Sequence, residues 1–252
     1  MGPNSAVGPA MNDEQEAMLA AALRYVRYGW PMLPLAGIES DGAGGWRCSC
    51  PAGPRCSSPG KHPRTSNGLM DATHQERVVR AWFRSFPNLN IGIRTGISCD
   101  VLDLDTEGPA SLARWTGTPL GESPAQTVLT IWSGPVAQTG RGFHLFARPE
   151  SAGNRTHLLP GIDFRSDDGF FVAAPSRHIS GRRYAWLRLG KLQRGLLPSA
   201  PPWLRELLYP AECPFLLRSG RKCAKTASHA HGEVLFRSSV EARWEAAADI
   251  GS

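Results

Sequence analysis

The chain contains no apolar run of about 18 residues, so no transmembrane helix is expected and no membrane partner. It opens Met1-Gly2-Pro3-Asn4-Ser5, without a basic stretch leading into an apolar one, so no secretory leader is expected either. The six cysteines are therefore expected to be reduced, in a cytoplasmic protein, and their spacing is read for metal before disulfides. No C-x₂-C pair occurs among them. Lysine is scarce beside arginine, and no internal repeat or long low-complexity run appears. What remains is a chain of 252 residues, 41% hydrophobic, with a formal net charge of +6. That is enough for one sizeable domain, and its mild basicity suits phosphate-rich partners without singling one out.

Read in order, residues 1–12 are small and polar and are expected to be mobile. Met18, Ala22, Tyr25 and Val26 recur at helical spacing, with Asn12 or Asp13 as cap and Gly29 as stop. Trp30 to Leu35 reads as a strand interrupted by prolines, hence at an edge. Asp71-Ala72-Thr73 can cap a helix from His74 to Phe86 that buries Val78, Val79, Trp82 and Phe83. Asn90 to Gly96 and Val101 to Asp105 read as a hairpin. Pro109 to Trp115 reads as a helix, Thr127 to Trp132 as a strand, and Ser133 to Arg141 as a loop. His157 to Gly161 reads as a turn. Ile162 to Arg165 and Phe170 to Ala174 read as a hairpin about Asp167-Asp168-Gly169. Tyr184 to Trp186 gives a last strand and Pro201 to Leu208 a last helix with proline at its start. Beyond Pro210 the chain is polar and basic, with no second core. Cys213, Cys223, His229 and His231 are too irregularly spaced there to define a metal site.

Four stretches carry chemistry. In Cys99-Asp100-Val101-Leu102-Asp103-Leu104-Asp105, strand alternation puts Asp103 and Asp105 on one face and Leu102 and Leu104 on the other. Paired carboxylates repel, and a hard divalent cation relieves that repulsion. Cys48, Cys50, Cys56 and His62 fall within fifteen residues of a loop with almost nothing apolar in it. A Cys₃His set suits structural zinc, and closing it would hold the loop; free thiols are the alternative. Gly140-Arg141-Gly142 precedes Phe143-His144, where glycines let a backbone approach phosphate and Arg141 and His144 supply charge or a donor. Asp163 and Arg165 share a strand face, either as an ion pair or as functional groups.

Taken together in this order, the sequence resembles the prim-pol domain of bifunctional DNA primase/polymerases, within the archaeo-eukaryotic primase superfamily. The resemblance runs from about Glu14 to Tyr209. It includes Tyr28-Gly29-Trp30-Pro31, Gly60-Lys61-His62-Pro63, Asp71-Ala72-Thr73 and Asn90-Ile91-Gly92-Ile93-Arg94-Thr95-Gly96. The three catalytic signatures fall at Asp103-Leu104-Asp105, at Gly140 to His144, and at Gly161-Ile162-Asp163-Phe164-Arg165 with Gly169 to Ser176. Gly140-Arg141-Gly142 stands in place of paired glycines, and Ala174-Pro175-Ser176 in place of Pro-Pro-Ser. The resemblance implies an α+β fold: a two-part domain over 13–209 with a mostly antiparallel, RRM-like active-site sheet, a zinc-loop insertion at 46–64, and a basic tail at 210–252. It implies template-directed synthesis on single-stranded DNA from NTPs or dNTPs with two Mg²⁺ or Mn²⁺ ions. Asp103, Asp105 and Asp163 would hold those ions, and His144 would donate to the triphosphate beside the Gly140 and Gly142 amides. Arg141 and Arg165 would bind triphosphate or template, Ser176 would add a hydrogen bond, and Lys61 would touch nucleic acid near the zinc loop. Any helicase partner would be a separate chain. A metal-dependent nuclease and a non-catalytic zinc-containing nucleic-acid-binding module are the rival readings.

Overall fold

A computed structural model describes residues 11–209, apart from 87 and 194. The expectations for 1–10 and for the tail from 210 lie outside the described residues. Helix α1 (Asp13–Arg27) begins at a capping box: the Asn12 side-chain Oδ1 accepts from the Gln15 N–H and the Gln15 side-chain Oε1 accepts from the Asn12 N–H, both at 2.9 Å. Gly29, at φ +82°, turns the chain into the fully buried Trp30. Strand β1 (Met32–Ala36) then forms the edge of a three-stranded sheet, as its prolines require. A short hairpin, β2 (Ile38–Ser40) and β3 (Trp46–Cys48), introduces the cysteine loop.

Helix α2 (Glu76–Ser85) starts two residues later than expected and without a side-chain cap. Asp71 instead accepts from the Asn67 N–H at 3.1 Å, and Thr73 is engaged by backbone bonds to Met32. Val79 and Phe83 are buried, whereas Val78 and Trp82 are half-buried.

Strand β4 (Leu89–Arg94) runs in the middle of the small sheet, between β1 and β10 (Phe170–Ala173). The large sheet has six strands in the order β11-β6-β7-β5-β9-β8, namely Ala185–Arg188, Val136–Gln138, Phe143–Ala147, Asp100–Leu104, Ile162–Arg165 and Arg155–Leu159. Every pairing between these strands is antiparallel. Three helices complete the α+β fold: α3 (Gly108–Thr116), α4 (Pro124–Ile131) and α5 (Pro202–Leu208).

Both expected hairpins are corrected. β4 already has a neighbour on each edge, so β5 crosses to the large sheet through a turn at Gly96. Asp167-Asp168-Gly169 does turn sharply, with Asp168 at φ +58°, but β9 belongs to the large sheet and β10 to the small one. Periodicity marks strands without naming their partners. The segment expected as a strand at 127–132 is helix as far as Ile131, because the Ser123 hydroxyl caps it by accepting the Gln126 N–H at 3.2 Å and Pro124 starts it. Thr127 and Thr130 there bond back to the carbonyls four residues earlier. The expected loop before Arg141 contains β6, and most of the expected turn at 157–161 is the edge strand β8.

The large sheet separates two cores. Leu102, Leu104, Phe143, Leu145, Ile162 and Phe164 face α3, α4 and α5. Val101, Ala137 and Phe146 face the opposite way, against α1, α2 and the small sheet. The two crossovers between the sheets are tied together at Asp100. Its carboxyl accepts from Gly96 N–H at 3.2 Å, Glu150 N–H at 2.7 Å and Ser166 hydroxyl at 2.9 Å. Thr95 adds bonds to Gly169 and Ser166.

Burial pushes the Asp100 carboxyl up to about 6, despite the three donors. A folded-state value above the unfolded one means that the stabilisation is complete below about pH 4 and is lost as pH rises through about 6. Asp100→Asn leaves one donor facing an amide NH₂ and is expected to cost about 1–3 kcal/mol. In urea unfolding the deficit of the variant should shrink between about pH 4 and pH 7; a deficit that grows over that range contradicts the assignment.

Candidate active site and metal centre

Register builds the site. Asp103 on β5 stands directly opposite His144 on β7 and directly opposite Asp163 on β9. Antiparallel partners in register present side chains on the same face, so the three groups form one row across adjacent strands. Asp105 follows β5 by one residue. All four line a cavity of about 510 Å³ at the crevice between the sheets, together with Lys61, Gly140, Arg141, Arg165, His178 and Tyr184 among others. The small sheet supplies the facing wall through Phe170, Phe171 and Val172.

Each carboxylate has a basic side chain beside it. Asp103 Oδ1 lies 3.3 Å from His144 Nε2, Asp105 Oδ1 lies 3.3 Å from Arg141, and Asp163 Oδ2 lies 2.7 Å from Arg165. Burial pushes the Asp103 carboxyl up, but His144, Arg165 and Lys61 outweigh it and hold the group below its ordinary value. The Arg141–Asp105 pair is exposed on both sides and so is worth well under about 1 kcal/mol, open to exchange for another anion. Asp163 is held more firmly, because its second oxygen accepts the His157 N–H at 2.8 Å.

The structure places His144 differently from a free donor. Nε2 faces Asp103, while Nδ1 is buried without a partner, in a ring packed against Phe146, Phe171 and Tyr184. Only Nε2, shared with Asp103, can reach the cavity. The two glycines serve close packing. A Cβ on Gly142 would sit 1.9 Å from the Leu104 carbonyl oxygen, and one on Gly140 would sit 2.1 Å from the His178 ring. Ser176 does not line the cavity: it is fully buried and accepts the Ile91 N–H at 2.8 Å, pinning the chain after β10 to β4.

Two residues escaped the sequence reading. His178 lines the cavity beside Tyr184, at 6.3 Å between ring centres. Asn90, buried within β4, donates to the carbonyls of Gly60 and Arg177 and accepts the Arg177 N–H. A polar Asn inside an apolar strand was the available signal for the second.

The cysteine loop closes on itself. Cys48, Cys50, Cys56 and His62 bring one ligand atom each within 4.8 Å of one another, and Cys48 Sγ lies 3.5 Å from His62 Nε2. Among the described residues this is the one group of three or more His, Cys, Asp or Glu side chains compact enough for a metal ion. The His62 Nδ1 faces the Pro63 carbonyl at 3.3 Å, which fixes the tautomer that leaves Nε2 free to ligate. The Gly60 N–H points to Cys48 Sγ at 3.5 Å. Burial would raise both Cys50 and Cys56; contacts within the cluster bring Cys50 down to about 6, while burial and the neighbouring sulfurs leave Cys56 up at about 11. Four such donors can hold a zinc ion.

The sequence model of one family, the N-terminal domain of bifunctional DNA primase/polymerases (Prim-Pol), matches residues 22–203. The chain belongs to this family, and the match runs from α1 to α5, through both sheets and the cysteine loop. Membership points to nucleotidyl transfer of the primase/polymerase type, with DNA and nucleotides as substrates. A search for similar curated proteins finds no match. Among the described residues no helix is long and apolar enough to cross a membrane.

Gly142→Ala is expected to force β5 and β7 apart at Leu104 and to cost about 1–3 kcal/mol of stability, read by thermal or urea unfolding. Unchanged stability would show that the strands approach less closely. For the loop, metal analysis of freshly purified, reduced protein is expected to give about one equivalent of zinc, and less than about half contradicts the site.

Proposed function

We propose that the domain over 13–209 is a DNA primase/polymerase that makes or extends primers on single-stranded DNA from nucleoside triphosphates. The observation that carries this reading is the row Asp163–Asp103–His144 in one cavity with Asp105, Arg141, Arg165 and Lys61. An all-acidic pocket would repel phosphate, and an all-basic one would have no place for divalent cations; this one has both kinds of group within reach of each other.

All three aspartates offer the hard oxygens that Mg²⁺ or Mn²⁺ takes; their carboxylates stand further apart than the donors of the cysteine loop and would draw in around the ions. The chemistry two such ions would supply is activation of a primer 3′-hydroxyl and charge neutralisation at a pyrophosphate leaving group. Asp103, Asp105 and Asp163 would hold them. Arg141 and Arg165 would turn from carboxylate to phosphate, a change that costs little for the exposed Arg141–Asp105 pair. His144, packed by three aromatic rings, holds Asp103 in line and shares its Nε2 proton with whatever approaches that carboxylate. The large sheet is read as the RRM-like active-site sheet of the family. The zinc loop, anchored to β1 by the bonds Ala36 N–H to His62 O and Arg64 N–H to Pro34 O, is read as a guide for template or primer.

The test incubates wild type and Asp103→Ala with a single-stranded template, with and without primer, NTPs or dNTPs, and Mg²⁺ or Mn²⁺. Elongated product from wild type, and at least about 10²-fold less from a variant with an unchanged melting profile, supports the reading. Shortened template indicates a nuclease, a mobility shift alone indicates a binding module, and incorporation retained by Asp103→Ala overturns the assignment.

A further inference from the structure

His178 belongs to none of the three catalytic signatures, yet it lines the same cavity. The residue is 8% exposed, and Gly140 packs directly against its ring. Nδ1 accepts the Ser180 N–H at 3.2 Å and faces the Ser180 hydroxyl at 2.9 Å. A backbone N–H can only donate, so the ring proton of neutral His178 resides on Nε2. Among the described residues nothing accepts from that nitrogen. Burial, then Lys61 and Arg141, then Arg182 push the ring's pKa down, against Asp105 alone, so the ring stays neutral with its N–H fixed.

Lys61 reaches the same cavity from a distant part of the chain, and Asn90 explains how. Its amide donates to Gly60 O at 3.0 Å and Arg177 O at 2.8 Å, and its oxygen accepts the Arg177 N–H at 2.9 Å. One buried side chain thus fixes the residue before Lys61 and the residue before His178 against each other. Arg141, next to Gly140, adds a second cation. Two cations and an oriented neutral N–H suit a tetrahedral anion with several acceptor oxygens. His144 serves the Asp103 side of the cavity instead, since its Nε2 faces that carboxylate and its Nδ1 is sealed.

We propose that His178, with Lys61 and Arg141, forms the subsite for the terminal phosphate of an incoming nucleoside triphosphate. This rests on the nucleotidyl-transfer reading of the cavity. His178 is a binding residue that distinguishes triphosphate from monophosphate; it neither holds metal nor moves a proton.

The test measures equilibrium binding of dATP, dAMP and a single-stranded oligonucleotide to the full chain in the presence of Mg²⁺. His178→Ala is expected to weaken dATP about tenfold or more while leaving dAMP and oligonucleotide affinities unchanged. His178→Gln, which keeps an amide N–H near the Nε2 position, should recover part of the loss. Lys61→Ala, at an exposed position, should weaken dATP with dAMP affinity and melting profile unchanged, whatever it does to the oligonucleotide, and decides the matter if His178→Ala does not fold. Unchanged dATP affinity in Lys61→Ala and His178→Gln, an equal loss for dAMP, or a loss confined to the oligonucleotide overturns the subsite. Failure of the polymerase reading looks different: wild type then incorporates no nucleotide, whether or not it discriminates dATP from dAMP.

Discussion

The pairing of β5 with β7 on one side and β9 on the other governs everything else in the site. Strand side chains alternate, so a slip of one residue in either pairing would send His144 or Asp163 into the opposite core, among Leu145 and Phe164. The register is held because β5 is apolar on its other face: Leu102 and Leu104 are buried against α3 and α4 residues, and exposing them would cost about 1.5–3 kcal/mol each. A polar row therefore exists at the end of a buried strand because an apolar row lies behind it. The carboxylates are positioned by hydrophobic burial, and their charge is then managed locally by His144, Arg141 and Arg165.

The second constraint is the junction of the two sheets. Asp100, Thr95 and Ser166 fasten the crossovers near one end of the crevice, and Asn90 fastens the cysteine loop to the segment after β10. The cavity walls come from stretches more than a hundred residues apart in sequence, from Lys61 to Tyr184. Buried polar groups with satisfied partners fix such a geometry more sharply than apolar packing does, since each has few acceptable arrangements. The Cys48, Cys50, Cys56 and His62 set, which could hold a zinc ion, would work in the same sense by closing a loop whose own residues bury little.

Much of this was legible in the sequence. The α+β class, α1 with its Asn12 cap, β1 as an edge strand, α3, α5, and the alternation around Asp103 and Asp163 all follow from local spacing, and the structure agrees. The Cys48, Cys50, Cys56 and His62 cluster was readable from the lack of any other means of holding that loop. Illegible were the strand partners. Two tight turns that look like hairpins instead pass the chain between sheets, because partner choice depends on which edges are already occupied. Thr127 to Ile131 misled through β-branched residues whose hydroxyls bond back along a helix. Within the site, Asp103, Asp105, Asp163, Arg141 and Arg165 come together as the sequence order suggested. Ser176 does not join them, and His144 joins as the partner of Asp103. His178 could not be found from sequence, since its meaning depends on Ser180 holding one nitrogen and Asn90 holding the neighbouring backbone.

The central claim is that the three aspartates converge on a pair of divalent cations when a nucleotide is present. Titration of the zinc-loaded protein with Mn²⁺ in the presence of dATP, followed by electron paramagnetic resonance, measures this directly. The account predicts about two bound Mn²⁺ per chain, falling to one or none in Asp163→Ala. No bound Mn²⁺ in the wild type, or the same number in the variant, would contradict it.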